Sequence, residues 1–520
     1  MSSPTPAPTG WAALKLLSPY QWFVFVVCCL AWDMDCLDQQ LFVLARRPAM
    51  VDLVPKVGND DARLKALMEK MTDEAERVGK PAPSVEDVRK SRHDADVAEA
   101  AGYATMFFML GWAVGGIGFG VMGDKVGRVK TLTLTILLYA IFTGLSALSI
   151  GVADFHAYRF LTGLGVGGVF AAAVTLLAET VPDGARPLAL GLFQASSVLG
   201  NCSAALINIG LEYAVYKDSF AGGKLFGFDI TPWRLMFMVG ILPGLLVVLV
   251  QLKLKEPERW VKLKAEGKKG GSYGELLGDP RWRGRALFGL LLAIAGVIGL
   301  WGIAFFSPDL QRYVSAPVYA EEAKALAPTF AAQADELGLN AEEAKKYVAD
   351  NSAKHVRWQG GLWSGVTSLV QNLGAFFGIF AFSLLTGTLG RRPTFALFFV
   401  LAAASTAVVF LFLKTWPDVF WMIPLMGFFQ LALFGGYAIY FPELFPTRLR
   451  STGTSFCYNV GRLIAAFGPA ALGLLTSTVY AQHPAPDPLR YAGVTMCAVY
   501  LIGFVALPFL PETKGKPLPE

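Results

Sequence analysis

The chain has 520 residues, of which 54% are apolar and only 16% charged, with a mean hydropathy of +0.47. Soluble domains average roughly 25% charge, so composition argues against a soluble multidomain enzyme and against disorder over most of the chain. The net charge of +5 is mild and no basic arm for nucleic acid is present.

The first ten residues, Met1 to Gly10, are rich in Pro, Ser and Thr and lack a basic leading segment, so no cleavable signal peptide is expected. Twelve apolar stretches follow, each near the 20 or so residues that a helix needs to cross a bilayer core. Six fall at 20–44, 103–122, 131–150, 155–178, 187–210 and 233–252, and six more at 286–306, 361–385, 393–413, 419–441, 452–478 and 491–510. The expectation is an all-α membrane protein of twelve transmembrane helices in two six-helix bundles. The expected segments are a tail (1–19), an N-terminal bundle (20–252), a linker (253–285), a C-terminal bundle (286–510) and a second tail (511–520).

Cations set the orientation. Lys125, Arg128 and Lys130 follow span 2, a basic stretch follows span 6, Arg391 and Arg392 follow span 8, and Arg448 and Arg450 follow span 10. These loops share one side, which is read as cytoplasmic, with both termini on it. The protein is expected in the cell membrane, in direct contact with the lipid bilayer, as a monomer. Two polar insertions, 46–98 and 311–358, then face outward. In the first, Leu64, Leu67, Met68 and Met71 are spaced for one helix face. In the second, Asn340 with Glu343 reads as a capping box opening a short helix. Both insertions are solvated helical caps or docking surfaces for a partner. The six cysteines, Cys28, Cys29, Cys36, Cys202, Cys457 and Cys497, lie in or beside apolar runs without metal-ligand spacing and are read as free thiols. No metal or cofactor is expected.

An internal repeat runs through the chain. Glu179-x-x-Pro182-x-x-x-Arg186 recurs as Glu443-x-x-Pro446-x-x-x-Arg450, and Gly127-Arg128 recurs as Gly390-Arg391. Parallel repeats of this kind place a substrate site near the bilayer midplane, between halves that rock against each other. Gly163-x-Gly165-x-x-Gly168 fits a dinucleotide-binding pattern, but it lies inside span 4, where close helix packing is the better reading.

These motifs resemble the major facilitator superfamily over nearly the whole chain. Gly120 with Asp124-Lys125-Val126-Gly127-Arg128 resembles its loop between spans 2 and 3, with Lys125 in place of Arg. Arg159-x-x-x-Gly163-x-Gly165-x-Gly167-Gly168 resembles its span-4 motif, Glu256-Pro257-Glu258-Arg259 its segment after span 6, and Pro511-Glu512-Thr513-Lys514-Gly515 a sugar-porter ending. Asp35-x-x-Asp38 is similar to the D-G-F-D of aromatic-acid/proton symporters.

Ionisable groups inside a span cost about 2.5–3.5 kcal/mol each, so Asp33, Asp35 and Asp38 in span 1 must be protonated, hydrated or paired. Asp35 and Asp38 share a helix face, with Asp33 pointing elsewhere. The resemblance implies that Arg159 pairs with Asp38, and Asp35, Asp38 and Arg159 are the candidates for proton coupling. No His lies deep in a span: His93, His156, His355 and His483 are outside or at an outer edge. In span 11, Arg462 lies about 18 Å in from Arg450 at 1.5 Å per residue. No acid in spans 7–12 is a fixed deep partner. Three readings stay open for Arg462: binding of an anionic substrate, satisfaction by carbonyls and water, or pairing with a span-1 aspartate. Gln194, Asn201, Trp301, Gln371, Asn372, Gln430, Tyr437, Tyr440, Tyr458 and Asn459 complete the candidate lining. The sugar-porter amides of span 7 are absent from 295–301, and Arg462 stands where a tryptophan is expected, so hexose recognition is disfavoured.

The resemblance also implies an inner gate of ion pairs: Asp124, Arg128, Glu179 and Arg186 in one half, and Arg391, Glu443 and Arg450 in the other, with Gly387 where a second loop aspartate is expected. The function expected is secondary transport of a small organic acid anion with protons by alternating access. The alternatives are a sugar or polyol porter, a uniporter, or a nutrient sensor built on this fold. No nucleophile–base cluster, metal motif or phosphate loop supports an enzyme.

Overall fold

The computed structural model of the chain describes residues 11–55, 65, 68–69, 72–73, 84–182, 184–217, 219, 223–245, 253–266, 272–480, 487–516 and 519. Leu64, Leu67, Met71, His483, the segment 1–10 and the end of the sixth expected span (246–252) lie outside these residues. The side chain of Arg259 does too.

Among the described residues, twelve helical rods follow one another in sequence. The first five are α1 (Pro19–Leu53), α2 (Val85–Lys125), α3 (Arg128–Ser146), α4 (Val152–Thr180) and α5 (Arg186–Tyr216). A two-stranded hairpin, Lys224–Leu225 with Phe228–Asp229, leads to α6 (Pro232–Val239). The linker carries two short helices, Glu258–Ala265 and Tyr273–Gly278. Then come α7 (Pro280–Glu336), α8 (Ala341–Thr388), α9 (Arg391–Phe412) and α10 (Trp416–Leu444). The rod α11 is assembled from Arg450–Ser455, Phe456–Val460, Gly461–Ala465, Gly468–Leu474 and Leu475–Val479, and α12 is Asp487–Phe509. Among the described residues ten helices are long and apolar enough to cross a membrane. The two others are α6, whose continuation is not described, and α11, which two π-helical turns interrupt. Large apolar side chains stay exposed on the outer faces, Phe377, Leu501 and Val505 among them, as lipid-facing positions require.

Local chemistry accounts for the starts. Ser18 Oγ accepts from the Gln21 amide while Gln21 Oε1 accepts from the Ser18 amide, with Pro19 at the first helical position. The insertions differ from the expectation of separate short caps. α1 runs on to Leu53 and α2 begins at Val85. The second insertion is a hairpin made by extending α7 and α8 themselves. Gly338, at φ 68°, supplies the left-handed turn between them. The Asn340–Glu343 box is present, but it opens the 48-residue α8 rather than a short helix. No proline stands within Ala341–Thr388, so α8 continues unbroken from the insertion into the span.

Within the first half, α4 packs against α2 and α3, and α1 against α5. Small residues decide the approach, because lipid tails give helices no hydrophobic reason to associate. A Cβ on Gly163 would sit 2.0 Å from the Phe108 carbonyl oxygen, and one on Gly167 2.2 Å from that of Trp112. The glycine run of α4 is therefore a packing surface. In the second half α8 packs on α10, and α9 on α10 and α12. The halves meet along α5–α8 and α2–α11. One end of the molecule carries the basic loops and the other the insertions. All six cysteines are free thiols.

Candidate functional site

A cavity of about 50 Å³ lies between the halves. Its lining includes Trp32, Cys36, Gln39 and Gln40 of α1, Trp112 of α2, and Gln194, Ser197 and Asn201 of α5. Trp301 of α7, Phe434 of α10, and Tyr458 and Arg462 of α11 complete it. Arg462 follows directly on the π-helical turn Phe456–Val460, whose extra residue rotates the chain beyond it. Its guanidinium carbon is 3.6 Å from the Trp112 ring centroid and 3.9 Å from that of Tyr458. Two aromatic faces thus clamp a cation that is 1% exposed. Nη1 donates to Asn459 Oδ1 at 2.8 Å, and Nε has no hydrogen-bond partner among the described residues. No carboxylate reaches ion-pair distance of Arg462 among those residues; its electrostatic neighbour across the interface is Asp35.

Of the expected lining, the structure brings Gln194, Asn201, Trp301, Tyr458 and Arg462 together. Asn372 joins through Asn201, whose Nδ2 donates to Asn372 Oδ1 at 2.8 Å across the interface. Asn459 holds Arg462, and Gln371 accepts from Ser307 Oγ at 3.5 Å. Gln430 and Tyr437 do not line the cavity. Gln430 Nε2 donates to Thr406 Oγ1 of α9, and Tyr437 Oη donates to the Leu292 carbonyl of α7, where Gly296 leaves room for the ring. Tyr440 donates to the Pro511 carbonyl at the basic-loop end. These three satisfy buried hydroxyl and amide groups inside the second half. Residues that the sequence reading missed are Trp32, Cys36, Gln39, Gln40, Trp112, Ser197 and Phe434. Gln39 and Gln40 follow the acidic run of α1 and were findable there. Trp112 sits in an unbroken apolar stretch with no signal of its own.

The three aspartates of α1 diverge. Asp35 and Asp38 are fully buried. Asp35 Oδ2 accepts from Gln39 Nε2 at 2.8 Å, and its Oδ1 has no hydrogen-bond partner among the described residues. Asp38 Oδ1 accepts from Thr143 Oγ1 at 2.7 Å, with Oδ2 likewise without one. The expected contact pair with Arg159 does not form. Arg159 donates to Ser146 Oγ at 2.7 Å and to Thr162 Oγ1 at 3.0 Å, and lies 4.6 Å from the Phe237 ring. Asp38 and Arg159 remain electrostatic neighbours. Hydroxyls of α3 and α4 outcompete the carboxylate for direct contact. Asp33 is turned toward α5, where Gly200 abuts its carbonyl.

At the basic-loop end the repeat becomes visible as two copies of one network. Arg128 donates through Nε and Nη2 to Glu179, each at 3.1 Å, and meets Asp124 Oδ1 at 3.0 Å. Arg391 donates through Nε to Glu443 at 3.0 Å and through Nη2 at 2.7 Å. Arg186 Nε donates to the Ala178 carbonyl, as Arg450 Nε does to that of Pro442. Each network has a further acid. Glu256 accepts from the backbone amides of Arg128, Val129 and Lys130, and Glu512 from those of Arg391 and Arg392. Both carboxylates cap a helix start, where free amides and the macrodipole favour negative charge. Gly127 (φ 133°) and Gly390 (φ 99°) make room: a Cβ on either would fall within 3 Å of the capping carboxylate.

These ion pairs lie within each half. At this end, among the described residues, α11 is linked to α2 by hydrogen bonds between the halves. Asp124 Oδ2 accepts from the Thr452 amide at 3.0 Å and from its hydroxyl at 2.7 Å. Ser451 Oγ donates to the Gly120 carbonyl at 3.2 Å and Ser455 Oγ to that of Gly116. This end is closed.

A family described as sugar (and other) transporters matches residues 78–271. A putative metabolite transport protein of Haemophilus influenzae is 29% identical over 419 residues, covering 79% of this chain and 86% of the relative. The cis,cis-muconate transport protein of Acinetobacter baylyi is 28% identical over 424 residues, covering 80% and 86%. Among solved structures, the proton:xylose symporter XylE bound to 6-bromo-6-deoxy-D-glucose superposes with a TM-score of 0.56 at 16% identity, covering 96% of this chain and 98% of that one. A bacterial homolog of the lysosomal transporter Spinster, inward-facing and unoccupied, gives 0.52 at 16% identity, covering 95% and 96%. Both likenesses are of fold.

Proposed function

We propose that the chain is a sugar-porter-like secondary transporter of the major facilitator superfamily, and that it moves a small organic acid anion together with protons by alternating access. The observation that supports this reading is Arg462: a buried guanidinium held flat between Trp112 and Tyr458, facing the central cavity, with Nε unspent and no carboxylate in contact among the described residues. A planar fork of this kind suits a carboxylate. In this reading the basic-loop end is cytoplasmic.

The cavity of about 50 Å³ is near the volume of one or two waters, at about 30 Å³ each. Cargo enters only when the halves separate at one end, and the structure then corresponds to a contracted intermediate closed at the basic-loop end. Asp35 is the electrostatic link between cargo and proton. Arg462 is the cation nearest Asp35 across the interface, so an anion bound on Arg462 changes the charge that Asp35 faces and links cargo to proton. Asp38 and Arg159 give the same arrangement a second, cargo-independent carboxylate whose protonation biases the cycle. A sugar or polyol porter is the second reading, favoured by the amides of Gln39, Gln40, Gln194 and Asn201 around the cavity.

Proteoliposomes with a pH-sensitive dye inside separate the two. Adding cis,cis-muconate should acidify the lumen and adding xylose should not. Arg462→Gln should weaken muconate binding about tenfold or more, the worth of one charge-assisted bidentate contact. Unchanged affinity would remove the anion reading. Asp38→Asn should abolish uphill uptake while leaving exchange partly intact; intact uphill uptake would refute its coupling role.

A further inference from the structure

We propose that the insertion end holds a second anion site, a vestibule that takes an organic carboxylate with an apolar body before it reaches Arg462. This rests on the reading that the cargo is an organic acid anion. A cavity of about 700 Å³ lies there between α1 and α2 on one side and α7, α11 and α12 on the other. That is the size of a pocket for a small organic ligand, about 300–1,000 Å³.

Its charges are unbalanced. Arg46 and Arg47 from the end of α1 face Asp309 of α7, and Arg312 stands one helical turn beyond Asp309. Two guanidinium groups in the wall, those of Arg46 and Arg47, therefore share one carboxylate, and neither reaches it at ion-pair distance among the described residues; Arg312, outside the wall, has Glu212 as a second acidic neighbour. Arg46 and Arg312 are held in place. Arg46 Nη1 donates to Thr105 Oγ1 at 3.1 Å with the Phe306 ring 5.6 Å away, and Arg312 Nε donates to Ser364 Oγ at 2.5 Å. The rest of the wall is mostly apolar, broken by the hydroxyls of Tyr103, Thr105, Tyr313 and Thr476. A hydrated inorganic anion gains nothing from such a wall, whereas a carboxylate on a hydrocarbon or aromatic body uses both features.

The vestibule is also on the route. Phe306 lines it, and Phe305, the next residue on the same 3₁₀ turn, lines the central cavity. Trp301 joins Phe305 to the Arg462 clamp, 4.7 Å from Phe305 and 5.5 Å from Trp112. One turn of α7 divides the outer guanidiniums from the inner one.

Calorimetric titration of the full-length protein in phosphatidylcholine nanodiscs, with cis,cis-muconate and with benzoate, tests this. The wild type should show two classes of site. Arg46→Gln and Arg47→Gln should each weaken the outer class about tenfold, the loss of one charge-assisted contact, and raise the KM of uptake without lowering its maximal rate. Arg47 is exposed, so its variant keeps the test if Arg46→Gln does not fold; Arg47→Lys should retain most of the outer affinity. Arg462→Gln should remove only the inner class. A single class that disappears with Arg462→Gln overturns the vestibule and leaves the cargo reading standing. Binding of neither carboxylate overturns both. Loss of the outer class when a few per cent of phosphatidylglycerol is added assigns the cavity to lipid and overturns the proposal.

Discussion

The two copies of the basic-loop network use the same parts to different ends. In the first half, the Arg128–Glu179 pair is sealed, with side chains 2% and 0% exposed, and the loop acid Asp124 reaches across to Thr452. In the second half, the Arg391–Glu443 pair is looser, at 8% and 16%, and Gly387 stands in the place of Asp124. The shared parts fix helix starts within each half. The difference is one carboxylate and the hydroxyl that it meets, and it makes the closure between halves one-sided. Duplication supplied the scaffold, and the loss of symmetry supplied the latch.

Unequal burial gives the largest expected contrast. Arg128→Gln strands Asp124 and Glu179 without their cation, and breaking a buried pair from one side costs about 3–5 kcal/mol. Arg391→Gln leaves Glu443 partly solvated and still accepting from Thr513 Oγ1, so about 1–3 kcal/mol is expected. Thermal unfolding in detergent should rank Arg128→Gln well below Arg391→Gln. An equal or reversed ranking breaks the comparison.

The latch is the next effect in size. Asp124→Asn keeps an acceptor but removes the charge on two hydrogen bonds, worth about 1.5–3 kcal/mol, or roughly a ten- to hundredfold shift toward opening. Spin labels at Lys125→Cys and Arg448→Cys, both exposed, in a background without the six native thiols, should report a longer distance distribution. A distribution identical to the parent would mean that Ser451 and Ser455 hold the end shut without help from Asp124.

A smaller, pH-dependent effect concerns the helix caps. Burial alone would raise the Glu512 carboxyl, but the backbone amides of Arg391, Lys514, Arg392 and Thr513 win and hold it below the ordinary glutamate value. A lowered value means that the carboxylate stabilises the fold fully above the ordinary value and loses that contribution as pH falls through the lowered one. Melting temperature should therefore drop across that acid window in the wild type, and Glu512→Gln should flatten the drop while lowering stability near neutrality. An unchanged acid limb would show that Glu512 is not the titrating cap.

Much of this was legible in the residues. Span positions follow from apolar length, and the repeated Glu-x-x-Pro-x-x-x-Arg and Gly-Arg motifs predict both networks, because charges at a helix end must find partners. The pair contacts of Arg128 and Arg391 follow from that logic. The latch was not legible. Thr452, Ser451 and Ser455 look like ordinary helix-start residues, and their role arises only from how closely Gly116 and Gly120 let α2 approach. A Cβ on Gly120 would sit 2.6 Å from that of Ser455. The pairing of Asp38 with Arg159 was overcalled for the opposite reason. Thr143, Ser146 and Thr162 are polar enough to satisfy each partner separately, and nothing in their spacing announces it. The π-helical turns of α7 and α11 are likewise invisible to periodicity, yet the one at Phe456–Val460 immediately precedes Arg462.

The smallest expected effect is the sharpest test of one-sidedness. Gly387 is exposed, a Cβ there meets no atom within 4 Å, and it precedes Arg391 by four residues as Asp124 precedes Arg128. Gly387→Asp therefore restores the missing acid without steric cost and gains a little helix propensity, for a net change within about 0.5 kcal/mol. It should not tighten closure. The donor's counterpart by the repeat is Leu188, two residues past Arg186 as Thr452 is two past Arg450, and leucine offers no hydroxyl. The spin-label distances should match the parent's for Gly387→Asp alone and shorten or narrow only when Leu188→Thr is added. If Gly387→Asp by itself rescues Asp124→Asn, a carboxylate at either loop suffices, and the latch is a matter of net charge at that end rather than of a specific bond to Thr452.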